Sequence, residues 1–98
     1  MYYILYMQIL WDSEKERRLI AERGLSLENF ASLIQERKYD TILKNPSRPE
    51  QKIFIIPFKD YTYVVPFIID KDQNIVLKTA FPSRKYHRIY GEKNENKI

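Results

Sequence analysis

Between Lys78 and Arg88 the chain carries four basic residues, Lys78, Arg84, Lys85 and Arg88, one histidine, His87, and no carboxylate. Cations gathered in this way suit the binding of a phosphate group and the stabilisation of negative charge developing on it, chemistry that needs no metal. Lys78 on a strand, with Arg84 and Lys85 at the start of a helix, can place two or three cations around one phosphate. The unpaired amides and the dipole at that helix N-terminus would strengthen the attraction. His87, Tyr90 and a lysine made more acidic by neighbouring cations are the candidates for proton transfer. Lys15, Arg17 and Arg18, on a basic helix near the N-terminus, would widen the groove, and Lys52 and Arg88 are further candidate contacts to an anion.

Each of these residues also has a plainer reading. A lysine on a sheet face and a charged helix start are often no more than solvated surface, and the same holds for Lys15, Arg17 and Arg18. His87 reads more readily as a surface residue than as a catalyst, Tyr90 more readily as core packing, and Trp11 as core or staple. Ser83 is a helix cap and not a nucleophile, because no His–Asp set accompanies it. Asp70 and Asp72 fall in a turn that they solvate, so no metal site is assigned. Glycine-rich phosphate loops are absent, and no cofactor is expected.

Three β-segments in succession lead into the basic cluster: Ile53–Phe58, Tyr61–Ile69 and Ile75–Phe81. Lys59-Asp60 and Asp70-Lys71-Asp72-Gln73 between them are turn-formers short enough for hairpins. Pro57 and Pro66 cannot donate to a ladder, so each belongs at a bulge or facing an edge, and a local bulge is expected at Pro66. The strands are apolar on both faces, with Phe54, Ile56 and Phe58 on one and Ile53 and Ile55 on the other. Two short helices cannot cover both faces of a four-stranded sheet, so the final helix or another protein must cover the second.

Tyr2 to Leu10 reads as a strand buried on both faces. Asp12 or Ser13 caps the helix that follows, and Ser13 with Glu16 fits a capping box. That helix runs to about Arg23 and closes at Gly24, with a thin apolar face of Leu19 and Ile20. Ser26 caps a second helix from Leu27 to about Arg37, packed through Leu27, Phe30, Leu33 and Ile34. Tyr39 to Leu43 is a candidate short strand and Asn45 to Pro49 a loop. Ser83 caps a last helix, Arg84 to Tyr90, which ends at Gly91 with Ile89 and Tyr86 toward the core.

The chain's 98 residues bound one domain, taken as residues 1–91 with a polar, disordered tail over 92–98. The absence of cysteine excludes a disulfide framework and a thiolate metal site, which suits a cytoplasmic protein. There is no run of 18 apolar residues, and the apolar start lacks a basic n-region and a cleavage site, so neither a membrane span nor a signal peptide is expected. A net charge of +4 favours an anionic partner. Eight tyrosines could pack, stack on bases or anchor an interface.

The order and spacing of four pieces resemble the BrnT group of bacterial toxins. They are Leu10-Trp11-Asp12 opening a basic helix, Arg23-Gly24-Leu25-Ser26-Leu27-Glu28 between helices, Lys52-Ile53-Phe54 with Tyr61 to Phe67, and Lys78-Thr79-Ala80-Phe81-Pro82-Ser83-Arg84-Lys85. The resemblance covers most of residues 10–90. It implies an α+β, RelE-like fold: an antiparallel β-sheet with two N-terminal helices packed on it and a short C-terminal basic helix. It further implies a type II toxin–antitoxin system toxin of the RelE/ParE-like superfamily, a metal-independent endoribonuclease that cleaves mRNA and inhibits translation in the cytoplasm. Implied partners are RNA, a neutralising antitoxin of ribbon-helix-helix type, and operator DNA through the antitoxin complex.

Attack by an RNA 2′-hydroxyl requires removal of its proton, stabilisation of the phosphorane charge and protonation of the leaving 5′-oxygen. On the reading the resemblance implies, Lys78, Arg84 and Lys85 supply the charge, and His87 or Tyr90 the proton transfer. Lys15, Arg17, Arg18, Lys52 and Arg88 would hold the strand. Two other readings stay open. One is a toxin of the same superfamily that acts on a protein target. The other is a non-catalytic subunit of a regulatory complex, which the surplus of apolar sheet and tyrosine would suit.

Overall fold

In the computed structural model, which describes residues 8–91, Lys59 and Asp60 both adopt positive φ, 50° and 61°. Two consecutive left-handed residues are what a type I′ hairpin turn requires, and that turn matches the twist of the strands it joins. It sets the register of the two longest strands. In chain order the elements are β1 (Ile9–Trp11), α1 (Ser13–Arg23), α2 (Leu27–Gln35), β2 (Thr41–Lys44), β3 (Lys52–Phe58), β4 (Tyr61–Ile69), β5 (Ile75–Leu77), β6 (Phe81–Pro82) and α3 (Arg84–Tyr86). A single π-turn (His87–Gly91) continues α3. The expected Tyr2–Leu10 strand is described only from Gln8 onward. Its earlier residues, and the tail over 92–98, lie outside the described residues.

The strands run in the order β1-β5-β4-β3-β2, with β6 also paired to β4. All pairings are antiparallel except β1 with β5, which is parallel. The sheet is therefore mixed, which corrects the antiparallel expectation. β1 is also not buried on both faces: it is an edge strand whose Leu10 is 38% exposed.

The third expected strand, Ile75–Phe81, is two strands with a break between them. Phe67 pairs with Leu77, but Val64 pairs with Phe81. Two residues of β4, Val65 and Pro66, thus face three of its neighbour, Lys78, Thr79 and Ala80. This is a β-bulge, and it stands opposite Pro66, as the missing amide demands. Pro57 lies beyond the residues of β3 that pair with β2, which end at Ile55.

Alternation along the strands divides the interior into two cores. Phe54, Ile56, Val65 and Phe67 face α1 and α2 and meet Leu19, Leu27, Phe30 and Ile34. Ile53, Ile55 and Val64 face the other way, under Phe81, Tyr86 and Tyr90. The final helical segment is therefore what covers the second face. It does so through tyrosines; Ile89, expected to face the core, is 56% exposed.

The helix ends follow from local hydrogen bonding. Asp12 Oδ1 accepts from Glu14 N–H at 2.7 Å and Lys15 N–H at 3.1 Å, capping α1. Gly24 closes it at φ 65°. Glu16 does not complete a capping box with Ser13. Its carboxylate reaches the start of α2, accepting from Leu27 N–H at 2.6 Å and Ser26 Oγ at 2.9 Å. One carboxylate thereby satisfies orphan donors of the second helix and fixes the angle between the two. α2 ends at Gln35, two residues short of the expected Arg37, which takes φ 59°.

Candidate functional site

Lys15, Arg18, Glu22 and Arg23 recur along α1 at helical spacing, so one stripe of that helix is strongly basic. The fold turns this stripe toward a cleft of about 620 Å3, within the range of about 300–1,000 Å3 common for ligand sites. The opposite wall is the β2–β3 loop, which contributes Asn45, Ser47, Arg48 and Gln51, and the floor holds Pro66 with Lys78 and Thr79 of the bulge. Five basic side chains, Lys15, Arg18, Arg23, Arg48 and Lys78, meet there with one carboxylate, Glu22. A concave surface with that charge balance attracts and concentrates anions.

The loop wall is held by its own bonds. Asn45 N–H donates to the Gln51 carbonyl at 3.1 Å, and the Asn45 side-chain amide donates to Gln51 Oε1 at 3.1 Å. Ser47 N–H returns to Asn45 Oδ1 at 2.9 Å. Just outside, Lys44 and Lys52 stand directly opposite each other across the β2–β3 ladder, both exposed. Two like charges in that position repel unless an anion lies between them.

The structure divides the residues that the sequence grouped together. Lys78, Lys15 and Arg18 line the cleft; Arg84, Lys85, His87, Arg88 and Tyr90 do not. Arg17 points elsewhere, toward Glu14 at 3.3 Å, and Lys52 is exposed at the start of β3. Arg84, Lys85 and Arg88 are exposed on the C-terminal segment, where Lys85 Nζ lies 5.2 Å from the centre of the Tyr86 ring. That segment is too short to offer the amide-lined anion site expected of it. α3 has three residues, and Tyr86 N–H is already donated to Ser83 Oγ at 3.1 Å.

His87 is held in place from three sides. Its Nδ1 lies 3.0 Å from the hydroxyl of Thr62, itself only 1% exposed, and its ring stacks on Tyr61 with centroids 4.2 Å apart. On the third side sits Gly91, where any Cβ would collide with the imidazole. Gly91 is therefore glycine for want of space, not for a left-handed helix end. Tyr90 packs in the second core.

Outside the cleft, Asp70 organises the β4–β5 turn by accepting from Asn74 N–H at 2.8 Å and Asp72 N–H at 2.9 Å. The Asn74 amide holds its carboxyl below the ordinary aspartate value; desolvation opposes this, and the Asp72 amide adds a smaller lowering. Among the described residues, no three His, Cys, Asp or Glu side chains gather closely enough to hold a metal ion. Among the same residues, no helix is long and apolar enough to cross a membrane.

Arg23, Arg48 and Glu22 were missed in the sequence. The stripe Lys15, Arg18, Glu22 was legible in helical spacing. Arg48 reaches the site only through the packing of its loop, which no local pattern announces.

No protein-family model and no curated protein sequence matches the chain. Among solved structures, the 1.1 Å crystal structure of the Brucella abortus ribonuclease toxin BrnT is similar. It aligns with a TM-score of 0.59 at 18% sequence identity, covering 79% of this chain and 96% of that one. The likeness extends over nearly all of the toxin, and the chain has the BrnT fold.

Proposed function

We propose that this protein is the toxin of a type II toxin–antitoxin pair, of RelE-like descent, and that it cleaves RNA without a metal in the cleft between α1 and the β2–β3 loop. The observation that carries the reading is that five cations and one carboxylate line a single cleft, in a fold similar to that of a ribonuclease toxin. Lys15, Arg18, Arg23, Arg48 and Lys78 bind the phosphates and stabilise the charge of the phosphorane. Glu22 takes the 2′-hydroxyl proton, and a lysine ammonium of the cleft protonates the departing 5′-oxygen. The substrate class is single-stranded mRNA in the cytoplasm, and loss of translation is the consequence.

Arg84, Lys85 and Arg88 flank the exposed Ile89 on the C-terminal segment. This basic and apolar surface suits an acidic protein partner, which supports neutralisation by an antitoxin, of ribbon-helix-helix type. Operator DNA is then reached through the complex. His87, fixed by Thr62, Tyr61 and Gly91, serves on this reading to seat the C-terminal segment.

Purified protein incubated with RNA in EDTA tests the assignment. Glu22→Gln should retain RNA binding and cleave about a hundredfold or more slowly, while His87→Gln keeps most of its activity. Loss of cleavage in His87→Gln with full activity in Glu22→Gln would move the chemistry to the other face of the sheet.

A further inference from the structure

Pro66 is buried in the middle of β4, where a proline removes a ladder donor and has no local advantage. Within an antiparallel strand the N–H and C=O of one residue point to the same neighbour. The Pro66 carbonyl accepts from Lys78 N–H at 2.8 Å, so the missing amide also faces Lys78. A regular pair here would return a second bond, from residue 66 to the Lys78 carbonyl. That bond cannot form. The edge chain is released at this point, gains one residue, and rejoins β4 at Phe81.

The side chains of the bulge then separate. Ala80 is fully buried in the helix-side core, Phe81 joins the opposite core, and Lys78 with Thr79 turns into the cleft that Pro66 itself helps to line. We infer that Pro66 is a positioning residue: by withholding the bond that the Lys78 carbonyl would accept, it releases the edge chain just after Lys78 and so directs the Lys78 ammonium to a phosphate in the cleft. The inference rests on the phosphate-binding reading above. It adds that a residue with no polar side chain sets the aim of the cation. Bulges that redirect a side chain beside a binding site have this form in general.

The test compares the wild type, Lys78→Ala, Pro66→Val and the double variant, with a short 2′-O-methyl RNA strand, which binds but cannot be cut. Pro66→Val restores the amide in a residue favoured in strands, and its fold is checked by thermal unfolding, with Pro66→Ala as a second form. Expected are an unfolding temperature equal to or above that of the wild type and slow exchange of the new residue-66 amide. RNA affinity should fall about tenfold, with a salt dependence reduced by about 0.7 in slope, the value of one phosphate contact. The double variant should bind no more weakly than Lys78→Ala alone, a coupling that a general loss of structure would not produce. Wild-type affinity in Pro66→Val, or additive losses in the double variant, would overturn the inference. Failure of the wild type itself to bind RNA would overturn the phosphate reading and this inference with it, and would show before any variant is compared.

Discussion

The two faces of the sheet are built from similar strand residues but covered differently. On the helix side, Phe54 stacks on Phe67 at 4.4 Å, Tyr39 meets Phe54 edge-on at 5.0 Å, and Phe30 meets Phe58 edge-on at 5.2 Å. These rings join α2 and the Tyr39 loop to two strands, β3 and β4, in one continuous apolar core. On the other side, Ile53, Ile55 and Val64 lie under Phe81 and the tyrosines Tyr86 and Tyr90, with buried Thr62 in polar contact with His87. Amphipathic rings cover apolar surface while leaving their polar ends near water. The first face, with the larger buried cluster, should carry most of the stability. The second is thinly covered, and the charged cleft opens where the bulge interrupts the sheet.

If this contrast is correct, substitutions on the two faces should differ in size and in reach. Phe54→Ala should cost about 3–5 kcal/mol in denaturant unfolding, because its ring is enclosed by other rings and the gap cannot collapse. Gly91→Ala forces a methyl group against the imidazole of His87 and should cost about 1–3 kcal/mol. Its effect should be local, with faster amide exchange in β6 and the C-terminal segment and little change in α2. A loss as large and as global as that of Phe54→Ala would erase the distinction between the faces.

Thr62→Val removes the hydroxyl from His87 Nδ1 and should cost about 1 kcal/mol, again read locally by exchange. The smallest expected effect is at Asp12, at the start of α1. Amide donation from Lys15, and then from Glu14, lowers its pKa, aided weakly by the charges of Lys15 and Arg18. A depressed carboxyl contributes stability above its unfolded value and loses it as pH falls through the folded one. Asp12→Asn should therefore flatten the acid side of the stability profile, with little change at neutral pH.

Much of the fold was legible because local rules agreed with the tertiary structure. Asp12, Ser26 and Ser83 cap helices, Gly24 closes one, Lys59-Asp60 turns a hairpin, and Pro66 marks a bulge. The parallel edge was not legible: the pairing of β1 with β5 joins residues far apart in sequence, and a nine-letter apolar run does not say which neighbour it takes. The site was legible only in part. Lys78, Lys15 and Arg18 stood out for their charge, and the fold brings them to one cleft, while Arg17 beside them turns toward Glu14. Arg84 and Lys85 follow Lys78 closely in sequence, but the bulge and β6 come between, and they take no part in lining the cleft. Gly91 misled for a related reason, since a glycine that ends a helix and one that admits a neighbouring ring look alike in sequence.

The central claim is that the cleft, and not the C-terminal segment, holds the substrate's phosphates. The most direct measurement is RNA cleavage in EDTA by three proteins: the wild type, Lys15→Ala with Lys78→Ala, and Arg84→Ala with Lys85→Ala. The account predicts fragments from the wild type and from the Arg84/Lys85 variant, and intact RNA with the Lys15/Lys78 variant. Intact RNA with the Arg84/Lys85 variant, together with undiminished cleavage by the Lys15/Lys78 variant, would contradict it.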